Sequence, residues 1–486
     1  MDPAATRASF RDPAGRLFRI DGRMLRLVRP EARADLETFL ASAVARELAG
    51  EGRLVRTEVM DRAAALALLD RDPDATALLA AHPDALVLEH EAIEFPSYPY
   101  EWPPEMLHEA GELTLDLAGA LLADGLGLKD GTPFNVLFRG RGPVFVDVLS
   151  VERREPGDPT WLPYAQFART FLLPLLANAR FGLALDEVFL GRRDGLEPEE
   201  VYRLCGPVAR LWPPVFGLVT APVWLGARAN ADDTALYQKK LLPDAERAAY
   251  ILRATLARSR RSLDRLAPRP GRKSMWSDYL ATATHYTREQ FAAKEEFVAA
   301  AVSELKPRRV LDVGANTGYF TRIAARSGAG VVAIDYDSVA VGEIWRGARA
   351  EQLDVLPLVV NLARPTPATG WRNRECPSFL ERAQGGFDLV MMLAVVHHML
   401  VTERVPLPEI VDLIAALTRD AVVVEYVAPD DPMFRRIVRG REALHRDLTP
   451  ESFESAWRQR FEIARSLRPQ GATRALYLLR KRDAAR

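Results

Sequence analysis

Lysine is nearly missing from this 486-residue chain. Lys129, Lys239, Lys240, Lys273, Lys294, Lys306 and Lys481 are the whole set, and the other 58 of the 65 basic residues are arginine. A GC-rich bacterial genome accounts for the bias, but one chemical consequence follows: no lysine precedes position 129. Cysteine is scarcer still. Cys205 and Cys376 cannot build a disulfide framework, and no CxxC spacing offers zinc a site. The first residues, MDPAATRASFRDPAGRLF, carry no apolar core of the secretory kind, so a reducing cytoplasm is the expected compartment. The one membrane-like stretch, residues 211–227 (LWPPVFGLVTAPVWLGA), is interrupted by three prolines. It falls short of the ~20 residues a spanning helix needs. No transmembrane segment is expected, and the stretch should pack inside the protein or beside an apolar ligand. Net charge is lacking too. With 66 acidic residues the chain stands at −1, which gives no global pull toward nucleic acid or anionic membrane.

What is present is an ordinary globular composition, 48% hydrophobic and 27% charged, in a chain too long for one domain. The clearest seam is LAPRPGRKS, residues 266–274, after an arginine-studded helical segment at 243–265. It sets expected domains at 1–270 and 271–486. Downstream, apolar strands alternate with helices. RVLDVG, VVAIDYD, VLPLVVN, FDLVMMLAV and AVVVEYV are the strands, and RFEIARSLRP and TRALYLLRK close the chain. Such a run predicts an α/β fold, a mainly parallel sheet with helices on both faces. Upstream, short β-like segments (RLFRI, MLRLVR, RLVRTEV, LVLEHEAI) precede a helix at 104–126, the strands NVLF and PVFVDVLS, and a mostly helical remainder. That order predicts an α+β domain.

The sharpest chemical signal is VLDVGANTGYFTRIAARSGAGVVAIDYD. A buried strand ends at Gly314, and Gly318 opens a helix. Glycine there lets the backbone turn and lets a ligand approach. Asp335, seventeen residues after Gly318, ends the next strand, where a carboxylate accepts hydrogen bonds from both ribose hydroxyls. A nucleoside cofactor follows. The run departs from a dinucleotide fingerprint: the third glycine is absent, and Asp312 would repel a pyrophosphate while suiting an ammonium or sulfonium group, with a glycine-poor dehydrogenase or a non-binding relic as the alternatives.

At this point the segment resembles motif I of the class I S-adenosylmethionine-dependent methyltransferases (D/E-x-G-x-G-x-G), with Asn316 at the middle glycine. The resemblance runs from about Trp276 to Arg480 and implies a Rossmann-like seven-stranded sheet that binds S-adenosyl-L-methionine. Carried over, Asp312, Gly314, Ala315, Asn316 and Gly318 surround the amino-acid part of the cofactor. Asp335, with Tyr336, holds the ribose, and Asn361 stands where adenine is contacted. Leu393, on the turn after the fourth strand, faces the reactive methyl. The same carry-over makes His397 and His398 the candidate general bases, with a structural turn as the alternative for either. Glu425, Asp430 and Asp431 are expected either to shape the substrate mouth or to cap a helix. Tyr279 and Tyr286 would lid the cofactor or pack a helix. The strings GWRNRECPSFLERA, LAVVHHML and VEYVAPDDPMFRRI are similar to a bacterial nodulation-protein group of methyltransferases, the NoeA type. This implies a small-molecule or glycan-type acceptor, methylated on oxygen or nitrogen, with no nucleic-acid partner. The oligomeric state is not legible.

In the upstream half, LKDGTPFN … PVFVD places Asp130, Asn135 and Asp147 in the order in which phosphotransferases use an aspartate to orient a hydroxyl and an Asn–Asp pair to hold magnesium. The layout resembles the protein-kinase-like fold, but LKD stands for HRD and DVL for DFG, and no glycine-rich phosphate loop is evident. No strand lysine is available, so Arg26 or Arg29 would have to substitute, and arginine replaces a compact ammonium poorly. A noncatalytic domain is the expectation. No metal site is expected; Asn135 and Asp147 come nearest to one, and the alternative is a hairpin whose Asn and Asp make turn hydrogen bonds. Two other readings stay open: a bifunctional phosphotransferase and a non-enzymatic interaction protein that keeps the cofactor fold.

Overall fold

The computed structural model describes residues 12–226, 241–271, 274 and 287–482. The chain divides into two compact units. The first comprises Met1–Phe138, Gly142–Arg269 and Ala368–Pro377; the second comprises Arg139–Arg141, Pro270–Pro367 and Ser378–Arg486. Each unit thus contains a short excursion of chain from the other's stretch of sequence.

In the first unit, β1 (Gly15–Ile20), β2 (Arg23–Val28), β3 (Thr57–Val59) and β4 (Leu86–His90) form an antiparallel sheet in the order β1-β2-β4-β3. Asp21 and Gly22 join β1 to β2 with positive φ at both positions, the backbone that a two-residue type I′ hairpin requires and that Asp-Gly supplies. Two further pairs follow: β5 (Leu126–Leu128) with β8 (Val151–Arg153), and β6 (Val136–Arg139) with β7 (Gly142–Phe145). The helix Pro104–Leu121 is apolar on nearly every side and buried. Ala248, Leu252, Leu256, Ser259 and Leu263 form the buried stripe of helix Ala245–Arg265, at the three- and four-residue spacing of an amphipathic helix. Leu263 reaches the first helix at Gly111, where a side chain would crowd it at 3.2 Å.

The second unit is built on seven strands: β9 (Arg309–Val313), β10 (Gly330–Asp335), β11 (Val355–Val359), β12 (Phe387–Met392), β13 (Thr418–Val427), β14 (Phe461–Leu467) and β15 (Arg474–Lys481). Their order is β11-β10-β9-β12-β13-β15-β14. The first five are parallel, and β15 runs antiparallel to both its neighbours. Val310, Leu389, Met391, Val423, Leu476 and Leu478 point to one face and pack with Phe297, Val298, Ala301 and Val302 of helix Arg288–Leu305. Tyr477 alternates with Leu476 and Leu478, so it lies on the other face, against Phe453 of helix Pro450–Arg458. Both faces are covered, which is why these strands read as continuous apolar runs. The order reverses beside β9, and ligands of open α/β sheets bind at the carboxyl ends there.

Candidate active site

At the carboxyl end of β9 the chain turns through Gly314, whose φ of +69° is left-handed and whose N–H donates to Ile334 O at 2.8 Å. A Cβ on Gly314 would overlap Val395 Cγ2, so backbone geometry and packing both demand glycine. Asn316 has φ +50°. It stands where motif I has its middle glycine, and asparagine is one of the few side chains that enter this region readily. Its N–H donates to Asp335 Oδ2 at 2.9 Å, and Asp337 N–H donates to Asp335 Oδ1 at 3.0 Å. Two backbone amides therefore aim the Asp335 carboxylate, while burial pushes its pKa upward. Asp312, on β9 and 3% exposed, accepts from Thr321 Oγ1 at 2.6 Å. Burial outweighs that bond and pushes its carboxyl up to about 6.

These groups wall a cavity of about 400 Å³. Asp312, Gly314, Ala315, Asn316, Asp335, Tyr336, Asn361 and Leu393 all line it. Gly318 does not. It caps helix Tyr319–Arg326 with φ +78°, and its missing side chain makes room for Ile344. It opens the helix that follows the glycine turn.

The two histidines part company. Beyond β12, Ala394 takes φ +57° and the chain enters helix Val396–Val401. His398 lines the cavity, and burial together with the nearby Arg474 charge lowers its pKa to about 4. His397 is 3% exposed and stacks on Phe434 at 6.3 Å, and its Nδ1 is buried without a hydrogen-bond partner. It is not in the cavity wall, and burial also drives its pKa well down.

Glu425 and Asp431 are not at a mouth. Both are 1% exposed: Lys294 Nζ lies 2.6 Å from Glu425 Oε2, and Arg474 Nε lies 2.8 Å from Asp431 Oδ2. Asp431 also caps helix Pro432–Val438 through Met433 N–H at 2.8 Å. Asp430 alone of the three is exposed. Tyr279 and Tyr286 lie outside the described residues.

Sequence reasoning missed Lys294, Arg364 and Glu403, all in the cavity wall. Lys294 left a signal: it falls on the buried stripe of its helix with Phe297, Val298 and Ala301. A lysine there must have a partner. Glu403 accepts from Arg364 Nη2 at 3.1 Å and from Asn361 Nδ2 at 3.4 Å.

In the other unit, Asp147 Oδ1 accepts from Arg26 Nη1 at 2.6 Å, so its charge is spent on an arginine of β2. Asn135 Nδ2 donates to Ser150 Oγ at 3.4 Å. Asp130 has its pKa raised by burial and by Asp147. Among the described residues, the three His, Cys, Asp or Glu side chains near enough to share an ion are His108, Glu112 and Asp264, apart from this loop.

The cavity fits S-adenosylmethionine. A buried acid beside a glycine turn, whose ionised form a cation would stabilise, suits a cationic ligand, and a carboxylate at the end of β10 keeps lone pairs for a ribose diol. A methyltransferase-domain family model matches residues 283–482. Nodulation protein NoeA of Rhizobium meliloti is 30% identical over 485 residues, which cover 99% of this chain and 97% of that one. Among solved structures, the N-methyltransferase NodS of Bradyrhizobium japonicum overlays 40% of this chain and 97% of its own, at 14% identity and a TM-score of 0.30. The bifunctional kinase-methyltransferase WbdD overlays 43% of this chain and 42% of its own, at 17% identity and a TM-score of 0.30. A match to NoeA along almost the whole of both chains, together with this cavity, places the protein in the NoeA family as an S-adenosylmethionine-dependent methyltransferase.

Proposed function

We propose that the enzyme methylates an oxygen or nitrogen of a small-molecule or glycan-type acceptor, with His398 taking the acceptor's proton. The observation that carries this is the place of His398 in the cavity wall with its pKa lowered to about 4, so the imidazole is neutral and able to accept at physiological pH. The cofactor supplies an activated methyl group. What the protein adds is alignment and proton removal. The acceptor atom becomes cationic and acidic as its new bond to carbon forms, so a weak base suffices. Arg364 and Glu403 give the same wall polar groups suited to hydroxyls or amines.

The domain expectation becomes part of the proposal: a kinase-like, noncatalytic unit from 1–270 and a methyltransferase unit from 271–486. The Arg26–Asp147 pair supports the first part, because it neutralises the carboxylate that would otherwise hold magnesium. Two buried free thiols support a cytoplasmic setting.

The test is methyl transfer to a panel of sugars, amino sugars and small phenols. His398→Gln should lower kcat about 100-fold while leaving cofactor affinity unchanged. Full-rate transfer by that variant would remove His398 from the chemistry.

A further inference from the structure

One cation of the cavity wall is almost fully desolvated. Lys294, on helix Arg288–Leu305, is 5% exposed and lines the cavity of about 400 Å³. Its Nζ lies 2.6 Å from Glu425 Oε2 on β13 and 5.1 Å from the centre of the Phe320 ring. Glu425 Oε1 in turn lies 4.0 Å from Arg474 Nη1, and Arg474 Nε lies 2.8 Å from Asp431 Oδ2. The four side chains make a buried row of alternating charge, none more than 6% exposed. Of the four, only Lys294 is in the wall of this cavity. A buried ion pair adds little net stability over an apolar pair of the same volume, so stability alone does not explain a charge kept there.

The sheet order indicates which end of a bound cofactor this ammonium would face. Across this part of the sheet the strands run β11-β10-β9-β12-β13. Asp335 ends β10, Asp312 lies on β9, and Glu425, which holds Lys294, lies on β13. The acceptor for a ribose, the acid suited to an ammonium, and Lys294 therefore follow one another in a single direction. Arg364, the other lysine or arginine of the wall among the described residues, comes after β11, at the opposite end. Its side chain is 75% exposed and is engaged by Glu403 at 3.1 Å. S-Adenosylmethionine ends in an α-amino acid, whose ammonium and carboxylate share one carbon. Where Asp312 receives the ammonium, the carboxylate lies beside it and, once desolvated, needs donors; a cation is the strongest.

We propose that Lys294 binds the carboxylate of the cofactor's amino-acid end and makes the enzyme select a cofactor that carries one. Glu425 is the positioning residue that holds the ammonium at the wall. An ammonium has three N–H donors, so it can serve Glu425 and a second carboxylate together. Arg474 shares the charge of Glu425, which leaves more of the Lys294 charge for the ligand. The proposal concerns the cofactor end of the cavity and does not depend on His398 or on the nature of the acceptor.

The test is calorimetry of the full-length protein with S-adenosylmethionine and with its decarboxylated analogue. The analogue keeps the nucleoside, the sulfonium and the amine and lacks only the carboxylate. The protein should bind S-adenosylmethionine about tenfold or more tighter than the analogue. Lys294→Met combined with Glu425→Gln removes both charges of the pair together. It should cut the preference to about threefold or less while leaving affinity for the analogue unchanged, which certifies the fold. Should that variant not fold, NMR of the unsubstituted protein decides: it has seven lysines, and one Nζ resonance should shift with S-adenosylmethionine and stay in place with the analogue. Equal affinity of the unsubstituted protein for the two ligands would overturn the proposal. So would a preference that survives in the double variant, since backbone amides of the glycine turn would then hold the carboxylate. Lysine resonances that respond alike to both ligands would overturn it as well.

Discussion

Asp312 and Asp335 are both buried carboxyls of the cavity wall, and both can be tested by single substitutions. Asp335 is aimed by two backbone amides and offers its remaining lone pairs outward. Asp335→Ala should weaken cofactor binding about tenfold or more, the value of hydrogen bonds to a charged group, and unchanged affinity by calorimetry would remove it from the site. Asp312 works through its proton. Its carboxyl, ordinarily at 3.8, is pushed up to about 6 by burial. In the ligand-free protein its stabilising contribution is therefore full below the ordinary value and lost as pH rises through about 6. A bound cation reverses the preference, so cofactor affinity should be greatest above about pH 6 and fall by up to about tenfold per unit below it. Asp335, also raised, adds in the same direction. Asp312→Asn should flatten much of the profile; an identical profile in that variant would sink the assignment. The positions of all these groups were legible from strand ends and glycine spacing. The positive φ of Asn316 was not, although it explains why the motif survives without its middle glycine.

At the scale of the element, the apolar runs located β9 to β13 and β15, because strands covered on both faces cannot hide their composition, whereas β14, at the sheet edge, is mostly exposed or half-buried. Spacing said less about what charged residues inside those runs were doing. Glu425 sits in β13, where every residue from Ala421 to Val427 is buried, so its place at an open mouth was excluded by the run itself. A buried carboxylate needs a partner, and the matching cation is the misfit on another buried stripe, Lys294. Desolvation lowers the Lys294 pKa against the pull of Glu425, a balance that makes removal of one partner costly. Lys294→Met should destabilise the protein by about 3–5 kcal/mol, and adding Glu425→Gln should recover a good part of the loss. Urea melts of the two variants would decide it. Equal destabilisation would mean that the pair is held apart in solution. His397 and His398 show the same limit: adjacent in sequence, they separate because consecutive helical positions face different directions.

At the scale of the whole molecule, the sequence pattern led to an expected boundary near residue 270 and could not show the excursion of residues 368–377. Ala368–Pro377, between β11 and β12, belongs to the first unit. There Glu375, 7% exposed, pairs with Arg193, and the buried Cys376 lies near Tyr100, whose hydroxyl pKa is raised by burial and then by Cys376. Those partners are remote in sequence, so no local periodicity reports them. The excursion changes what a fragment should do. Residues 271–486 contain every cavity-lining side chain, so the cofactor site is complete within them. The same fragment would leave Glu375 without Arg193 and Cys376 uncovered. We therefore expect it to bind S-adenosylmethionine but aggregate, and expect replacement of 368–377 by a short Gly/Ser linker to yield soluble, binding-competent protein. Sedimentation velocity and calorimetry on the two fragments provide the measurement. Insolubility of both would show that the second unit needs the first to fold. Solubility of the unmodified fragment would show that 368–377 can fold back without the partners it has in the full chain.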